Sequence, residues 1–185
     1  MSRVNIFFAT GFEEVEALTV VDLLRRAGIE TDMVSVTGDR NVTSSHGITV
    51  QTDKLFEDID DSADMIVLPG GMPGTLNLKA HKGLAGMIRR YYDDKNKFLA
   101  AICAAPTVYG EMGLLQGRMA TCYPGMEDGL VGATALEDKV VIDGRIITSR
   151  GLGTAIHFGL ALVGILEGSG TAEDLASKIV YTMDC

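Results

Sequence analysis

Cys103 ends the apolar run Lys97–Ile102 (KFLAAI) and is followed at once by Ala104-Ala105-Pro106. That order suits a nucleophile. The run reads as a buried strand, and the small residues Ala101, Ala104 and Ala105 relieve crowding around a sharp turn. Proline fits an early helical position because the first N–H groups of a helix lack partners in any case. The expectation is a strand-turn-helix elbow that presents the sulfur at a helix N-terminus. Amide donors and the positive end of the helix dipole would then draw the thiol below its free value of about 8.5, making a thiolate available for addition or oxidation. A buried, inert cysteine fits the same spacing, so both readings stay open at this level.

Glu16 is the second residue of interest. Val20, Leu23 and Ala27 follow it at helical spacing, while Thr19, Asp22 and Arg26 share the opposite side, so a helix over Glu13–Ala27 puts Glu16 on its apolar stripe. A carboxylate there needs a partner or a proton. Desolvation raises it from about 4.3 toward the neutral acid, which can donate a hydrogen bond. The plain alternative is a first-turn acid that complements the helix dipole. Glu13 closes a Thr10-Gly11-Phe12-Glu13 capping box and reads as structural.

The loops after the first strand and after the Cys103 strand open on one edge of a parallel sheet, so Cys103 and Glu16 are expected to form a pair that shares one proton. Gly70 and Gly71, in the loop after Asp64–Leu68, and Ala104 would turn N–H groups toward an oxyanion beside the sulfur. A tight turn explains the glycines equally well. Gly151-Leu152-Gly153-Thr154 lacks the third glycine of a dinucleotide fingerprint, and no P-loop is present. A nucleotide-binding module is therefore a weak reading, and no cofactor is expected.

Three histidines are available as bases. His46 falls in an inserted hairpin and is expected near the site mouth, His81 is expected in solvent, and His157 packed or half-exposed on a helix. None is adjacent to Cys103, which argues against a Cys/His hydrolase. Cys103, Cys122 and Cys185 show no CxxC or Cys/His ligand spacing, so neither a metal nor a disulfide is expected. Cys122 reads as a strand-end side chain and Cys185 as a terminal spectator.

The elements that must position these residues are legible. Val4–Ala9, Asp64–Leu68 and Lys97–Ile102 are apolar on both faces, as strands of a covered parallel sheet are. Glu13–Ala27, Leu84–Asp93, Gly153–Leu166 and Ala172–Tyr181 have helical period and length. Their alternation predicts a three-layer α/β sandwich with right-handed crossovers. Asp39–Val50 reads as a small hairpin at the sheet edge, and Asp143-Gly144 within Lys139–Thr148 as a hairpin turn. With 185 residues, 46% of them hydrophobic, the chain suits one domain from residue 2 to 185. Its 25 acidic against 16 basic side chains give a net charge of −9, which opposes nucleic acid and anionic membrane surfaces as partners. Neither a signal peptide nor a membrane span is apparent, and a reducing cytoplasm is the expected compartment.

Gly11-Phe12-Glu13-Glu14-Val15-Glu16, Val67-Leu68-Pro69-Gly70-Gly71, Ala100-Ala101-Ile102-Cys103-Ala104-Ala105-Pro106 and Thr148-Ser149-Arg150-Gly151-Leu152-Gly153-Thr154 occur in that order. Together they resemble the ThiJ/PfpI superfamily, and most of all its parkinsonism-associated deglycase branch. The resemblance implies a flavodoxin-like three-layer sandwich of the class I glutamine amidotransferase type with a mostly parallel sheet, usually in a homodimer. It also implies that Cys103 is an oxidation-sensitive nucleophile, that Glu16 is the protonated acid touching it, and that Gly70, Gly71 and Ala104 form the oxyanion region. Two positions depart from the pattern. Tyr123 stands where many relatives have a histidine, and a phenol of pKa about 10 cannot serve as a neutral-pH base. His46 stands where some relatives carry an arginine near the pocket and dimer seam, which would make that contact pH-sensitive. The implied activity is cofactor-independent chemistry on 2-oxoaldehydes such as methylglyoxal, or on glycated adducts. The alternative is a cysteine-oxidation sensor or stress chaperone without dedicated turnover.

Overall fold

The computed structural model describes residues 1–182. Cys185 lies outside the described residues. The chain runs β1 (Arg3–Phe8), α1 (Glu14–Arg26), β2 (Glu30–Ser35), β3 (Asn41–Thr43), β4 (Thr49–Gln51), β5 (Lys54–Leu55), β6 (Met65–Leu68), α2 (Gly74–Ala80) and α3 (Lys82–Asp93). It continues with β7 (Phe98–Ile102), α4 (Pro106–Glu111), β8 (Met119–Ala120), β9 (Thr134–Ala135), β10 (Val140–Asp143), β11 (Ile146–Ser149), α5 (Ala155–Glu167) and α6 (Ser169–Lys178).

Seven strands form the main sheet in the order β10-β11-β7-β6-β1-β2-β5. All neighbours are parallel except β10 and β11, which form the antiparallel hairpin expected around Asp143-Gly144. Alternation along each strand serves two cores at once, because successive side chains leave a strand on opposite faces. Phe8, Ile6 and Ile102 join Val20, Leu24, Phe158 and Leu162 from α1 and α5 on one face. Phe7, Leu68 and Ala101 join Leu84, Ile88 and Tyr109 from α3 and α4 on the other. Phe7, Phe8 and Phe158 are fully buried, each contributing roughly 1.5–3 kcal/mol of transfer free energy. This is the flavodoxin-like α/β sandwich, with the parallel strands ordered β2-β1-β6-β7-β11. The winding reverses between β1 and β6, so the crevice for chemistry lies beyond the carboxyl ends of β1, β6 and β7. Among the described residues no helix is long and apolar enough to cross a membrane.

Several expectations need correction. The hairpin of β3 and β4 is a separate two-stranded sheet rather than an insertion at the main sheet's edge. It lies over the turn between β1 and α1, where Gly11 N–H donates to Thr43 O at 2.8 Å and Ser45 N–H to Phe12 O at 2.8 Å. The capping box does not form, because Gly11 turns the chain in the left-handed region (φ 84) and sets Thr10 apart from the helix. Glu13 is itself the cap, its carboxylate accepting from Val15 N–H at 3.4 Å. His81 is not solvated: its Nδ1 accepts from Leu84 N–H at 3.0 Å, capping α3, and its ring meets Phe56 at 4.6 Å. That cap starts α3 at Lys82, before the apolar spacing shows it. The last helix begins at Ser169 and stops at Lys178, because its first turn is polar and Val180 takes a left-handed φ of 58. Strand β2 and helix α2 gave no signal, since ETDMVS and GTLNLKA mix polar and apolar residues without a clear period.

Candidate active site

Strand β7 delivers Cys103 to the crevice, and the chain then turns sharply enough to put Cys103 at φ 66. A side chain in the left-handed region costs about 1–2 kcal/mol. Backbone bonds hold the strained residue in place: Cys103 N–H donates to Ser149 O at 3.0 Å, and Cys103 O accepts from Tyr123 N–H at 2.8 Å. Pro106 then opens α4, as the spacing predicts. The thiol is half-buried, with the N–H groups of Gly71 and Ala104 directed at the sulfur.

Glu16 sits in the first turn of α1 and is 1% exposed. Its Oε2 accepts from Gly70 N–H at 3.0 Å, and the Leu152 N–H also reaches the carboxylate. A methyl group built on Gly70 would lie 2.7 Å from Glu16 Oε2 and 2.9 Å from Cys103 Sγ, so oxygen and sulfur flank the same point. Only glycine leaves that space free. Gly70 therefore differs from the expected oxyanion donor, because its N–H is already taken by Glu16. The donors aimed at the sulfur are those of Gly71 and Ala104. Gly71 has φ 91 and packs on the backbone of Phe12 and Glu13, which fixes the loop after β6 to the start of α1.

Burial raises the Glu16 carboxyl to about 7, with the nearby Glu13 adding to the rise. The hydrogen bonds to Cys103 and Gly70 work against it. Burial also pushes the Cys103 thiol up to about 12, reinforced by the Glu16 charge and outweighing the two amides that lower it. The expectation of a thiol below 8.5 counted the dipole and omitted burial and the ionised neighbour. While Glu16 keeps its proton that repulsion is absent, so the thiol ionises most readily in the state where the carboxyl is neutral. Near neutrality the pair gives up one proton and shares the other.

The remaining candidates lie farther out. Tyr123 is half-exposed, and a methyl group built on Gly151 would lie 3.4 Å from its ring and 3.7 Å from Glu16 Oε1, so the phenol borders the pair. His46 does not reach the sulfur. It binds the carboxylates of Glu14 and Glu13 at the entrance to α1, and both raise its pKa, first through the hydrogen bond to Glu14. His157 is half-buried and its Nδ1 has no partner. Cys122 is buried beyond the end of β8. The Leu152 amide is a contact that the sequence does not show, since its loop reads there only as an incomplete dinucleotide turn.

Gly70→Ala supplies a direct check, since the added methyl would also come within 2.5 Å of Cys103 Cβ. It is expected to cost about 1–3 kcal/mol through overpacking and to slow alkylation of Cys103 by iodoacetamide. Urea melts and mass-resolved labelling read the two effects, and a variant indistinguishable from wild type would show that the two groups are not confined by this contact.

A family model described as the DJ-1/PfpI family matches residues 2–164. Protein DJ-1 homolog B of Arabidopsis thaliana is 42% identical over 181 residues, which cover 96% of this chain and 41% of that protein. The chain thus spans less than half the length of that plant relative. The Caenorhabditis elegans protein named Glutathione-independent glyoxalase DJR-1.2 is 33% identical over 170 residues, covering 90% of this chain and 89% of that protein. Among solved structures, oxidized DJ-1 of Toxoplasma gondii matches with a TM-score of 0.94 at 34% identity, covering 99% of this chain and 100% of that one.

Proposed function

Because the chain belongs to the DJ-1/PfpI family, we propose that it is a cofactor-independent cysteine enzyme acting on 2-oxoaldehydes such as methylglyoxal. The observation that carries this reading is the common space of Glu16 Oε2 and Cys103 Sγ, under the amides of Gly71 and Ala104. The name of the Caenorhabditis elegans relative, a glutathione-independent glyoxalase, supports it.

In this reading the Cys103 sulfur adds to the aldehyde carbon and the carbonyl oxygen takes the proton that the pair holds, giving a hemithioacetal. The two amides hold the oxyanion as it develops. The Glu16 carboxylate next removes the proton from that same carbon and returns it to the neighbouring ketone carbon through an enediol. The product is a thioester of the 2-hydroxy acid. Water hydrolyses the thioester, releases the acid and restores the thiol. No electrons enter or leave; the net change is addition of one water. Adducts of the aldehyde with amines or thiols carry the same carbon and form the wider substrate class. The test is methylglyoxal incubated without glutathione, with the 2-hydroxy acid measured enzymatically. Acid formation is expected in step with aldehyde loss, and aldehyde loss without acid would overturn the assignment.

A second reading, a cysteine-oxidation sensor, is favoured by the donors around the sulfur. Peroxide oxidises a thiolate to sulfenate and then sulfinate, each step consuming one peroxide and releasing one water. Neutral Glu16 and the Gly71 and Ala104 amides would hydrogen-bond the added oxygens. Graded peroxide followed by mass spectrometry is expected to add two oxygens at Cys103 before Cys122 reacts, and to lose that selectivity in Glu16→Ala. Equal oxidation of both cysteines counts against it.

A further inference from the structure

Gly70, Gly71 and Gly151 all border the reactive pair, and the backbone and packing account for the first two. Gly70 leaves the space that Glu16 and Cys103 share, and Gly71 turns at φ 91 against Phe12 and Glu13. Gly151 does neither. Its backbone is extended, with φ 161 and ψ −165, outside the left-handed region. A methyl group built on it would meet nothing closer than Tyr123 Cδ2 at 3.4 Å, with Glu16 Oε1 at 3.7 Å and Tyr123 Cε2 at 3.8 Å. Those are ordinary carbon contacts, so this buried glycine leaves room for one methyl group.

That slot has a fixed place relative to the sulfur. Glu16 Oε2 marks the sulfur side, since the point beside Gly70 that lies 2.7 Å from it is 2.9 Å from Cys103 Sγ. Glu16 Oε1 marks the Gly151 side, next to the edge of the Tyr123 ring. Thr154 holds the Gly151 end, its Oγ1 accepting from Gly151 N–H at 3.1 Å and donating to Gly151 O at 2.8 Å. Tyr123 is held through its backbone, whose N–H donates to Cys103 O at 2.8 Å, while its half-exposed ring packs beside the slot.

We propose that this slot receives the substituent on the ketone carbon of a 2-oxoaldehyde, and that Gly151 and Tyr123 set the size it accepts; the inference rests on the 2-oxoaldehyde reading above. The chemistry orders the atoms along Glu16. Sulfur bonds the aldehyde carbon, whose oxygen takes the Gly71 and Ala104 amides. The carboxyl must then reach both carbons, which lays the ketone carbon along Glu16 and sends its substituent from the Oε2 side toward Oε1 and Gly151. A methyl group fills the space left there, against the apolar edge of the ring. Hydrogen leaves it empty, and a phenyl group exceeds it while the ring stays in place. Tyr123 thus acts as a wall and not as a base. One methyl group in an apolar contact separates substrates by roughly 10–200-fold.

The test compares glyoxal, methylglyoxal and phenylglyoxal on the full chain, in wild type, Gly151→Ala, Tyr123→Phe and Tyr123→Ala, with thermal melts to confirm the fold. Two readouts are taken: kcat/KM for formation of each 2-hydroxy acid, and the aldehyde concentration that half-protects Cys103 from iodoacetamide, which needs no turnover. Gly151→Ala puts the protein's own methyl group in the slot and is expected to cost methylglyoxal at least about tenfold relative to glyoxal in both. Tyr123→Ala should favour phenylglyoxal at least about tenfold relative to methylglyoxal, while Tyr123→Phe keeps the wild-type ratios. Tyr123→Ala, which truncates a half-exposed ring, decides the matter should Gly151→Ala fail to fold. Unaltered ratios in folded Gly151→Ala or in Tyr123→Ala, or ratios that move as far in Tyr123→Phe, would overturn the slot. Protection that follows the expected ratios without acid formation would uphold the slot and remove the turnover reading. Absence of protection by any of the aldehydes would overturn both.

Discussion

Cys103→Ser is expected to lower glutathione-free conversion of methylglyoxal by at least about 10³-fold, because a covalent step cannot proceed once its nucleophile is lost. Serine keeps the shape of the site. It occupies nearly the same volume, tolerates the strained backbone at φ 66 as well as cysteine does, and leaves the bonds from Cys103 N–H to Ser149 O and from Tyr123 N–H to Cys103 O intact. Its hydroxyl, however, stays protonated in a buried place beside a carboxyl. The variant should therefore melt within about 1 kcal/mol of wild type, as a near-isosteric change does, while its activity disappears. Thermal melts and the 2-hydroxy acid assay on one preparation separate the two effects. Retained activity in a folded Cys103→Ser protein would remove the sulfur from the mechanism.

The same strain explains which parts of the site were legible. Ala-Ala-Ile-Cys-Ala-Ala-Pro encodes the elbow in one contiguous stretch, since the run sets the strand, small residues permit the turn and proline starts the helix. Glu16 was legible for a different reason: an acid on an apolar stripe contradicts its surroundings, and that conflict marks function. Contacts between distant segments were not legible. Nothing in Pro69-Gly70-Gly71 tells which amide faces the sulfur and which binds Glu16, because the difference depends on how β6 sits beside β7. Nor does Ser44-Ser45-His46 reveal that the hairpin folds over α1. Marginal elements such as β2 gain their order from pairing with β1, through partners the local sequence does not name.

Glu16→Gln is expected to separate stability from activity through pH. In the unfolded chain the carboxyl titrates at its ordinary 4.5, and in the fold, raised chiefly by burial, at about 7. Between those values the folded protein binds more protons than the unfolded chain, so wild-type stability falls as pH rises through that window and levels off above it. Glutamine has no such proton to lose. Its amide oxygen can accept from Gly70 N–H, as Glu16 Oε2 does, and its NH₂ group stands where the protonated acid would donate toward the sulfur. Relative to wild type, the variant should gain roughly 2–3 kcal/mol between pH 5 and pH 8, read from urea melts at the two pH values. Turnover should fall about 10²–10⁴-fold, the range for loss of a general acid–base group, because a neutral amide cannot carry the proton from one carbon to the next. A stability difference that does not change with pH would mean that Glu16 is ionised at little cost in the fold, and the shared proton would have to be abandoned. Full activity in Glu16→Gln would remove the Glu16 carboxyl from the proton transfer.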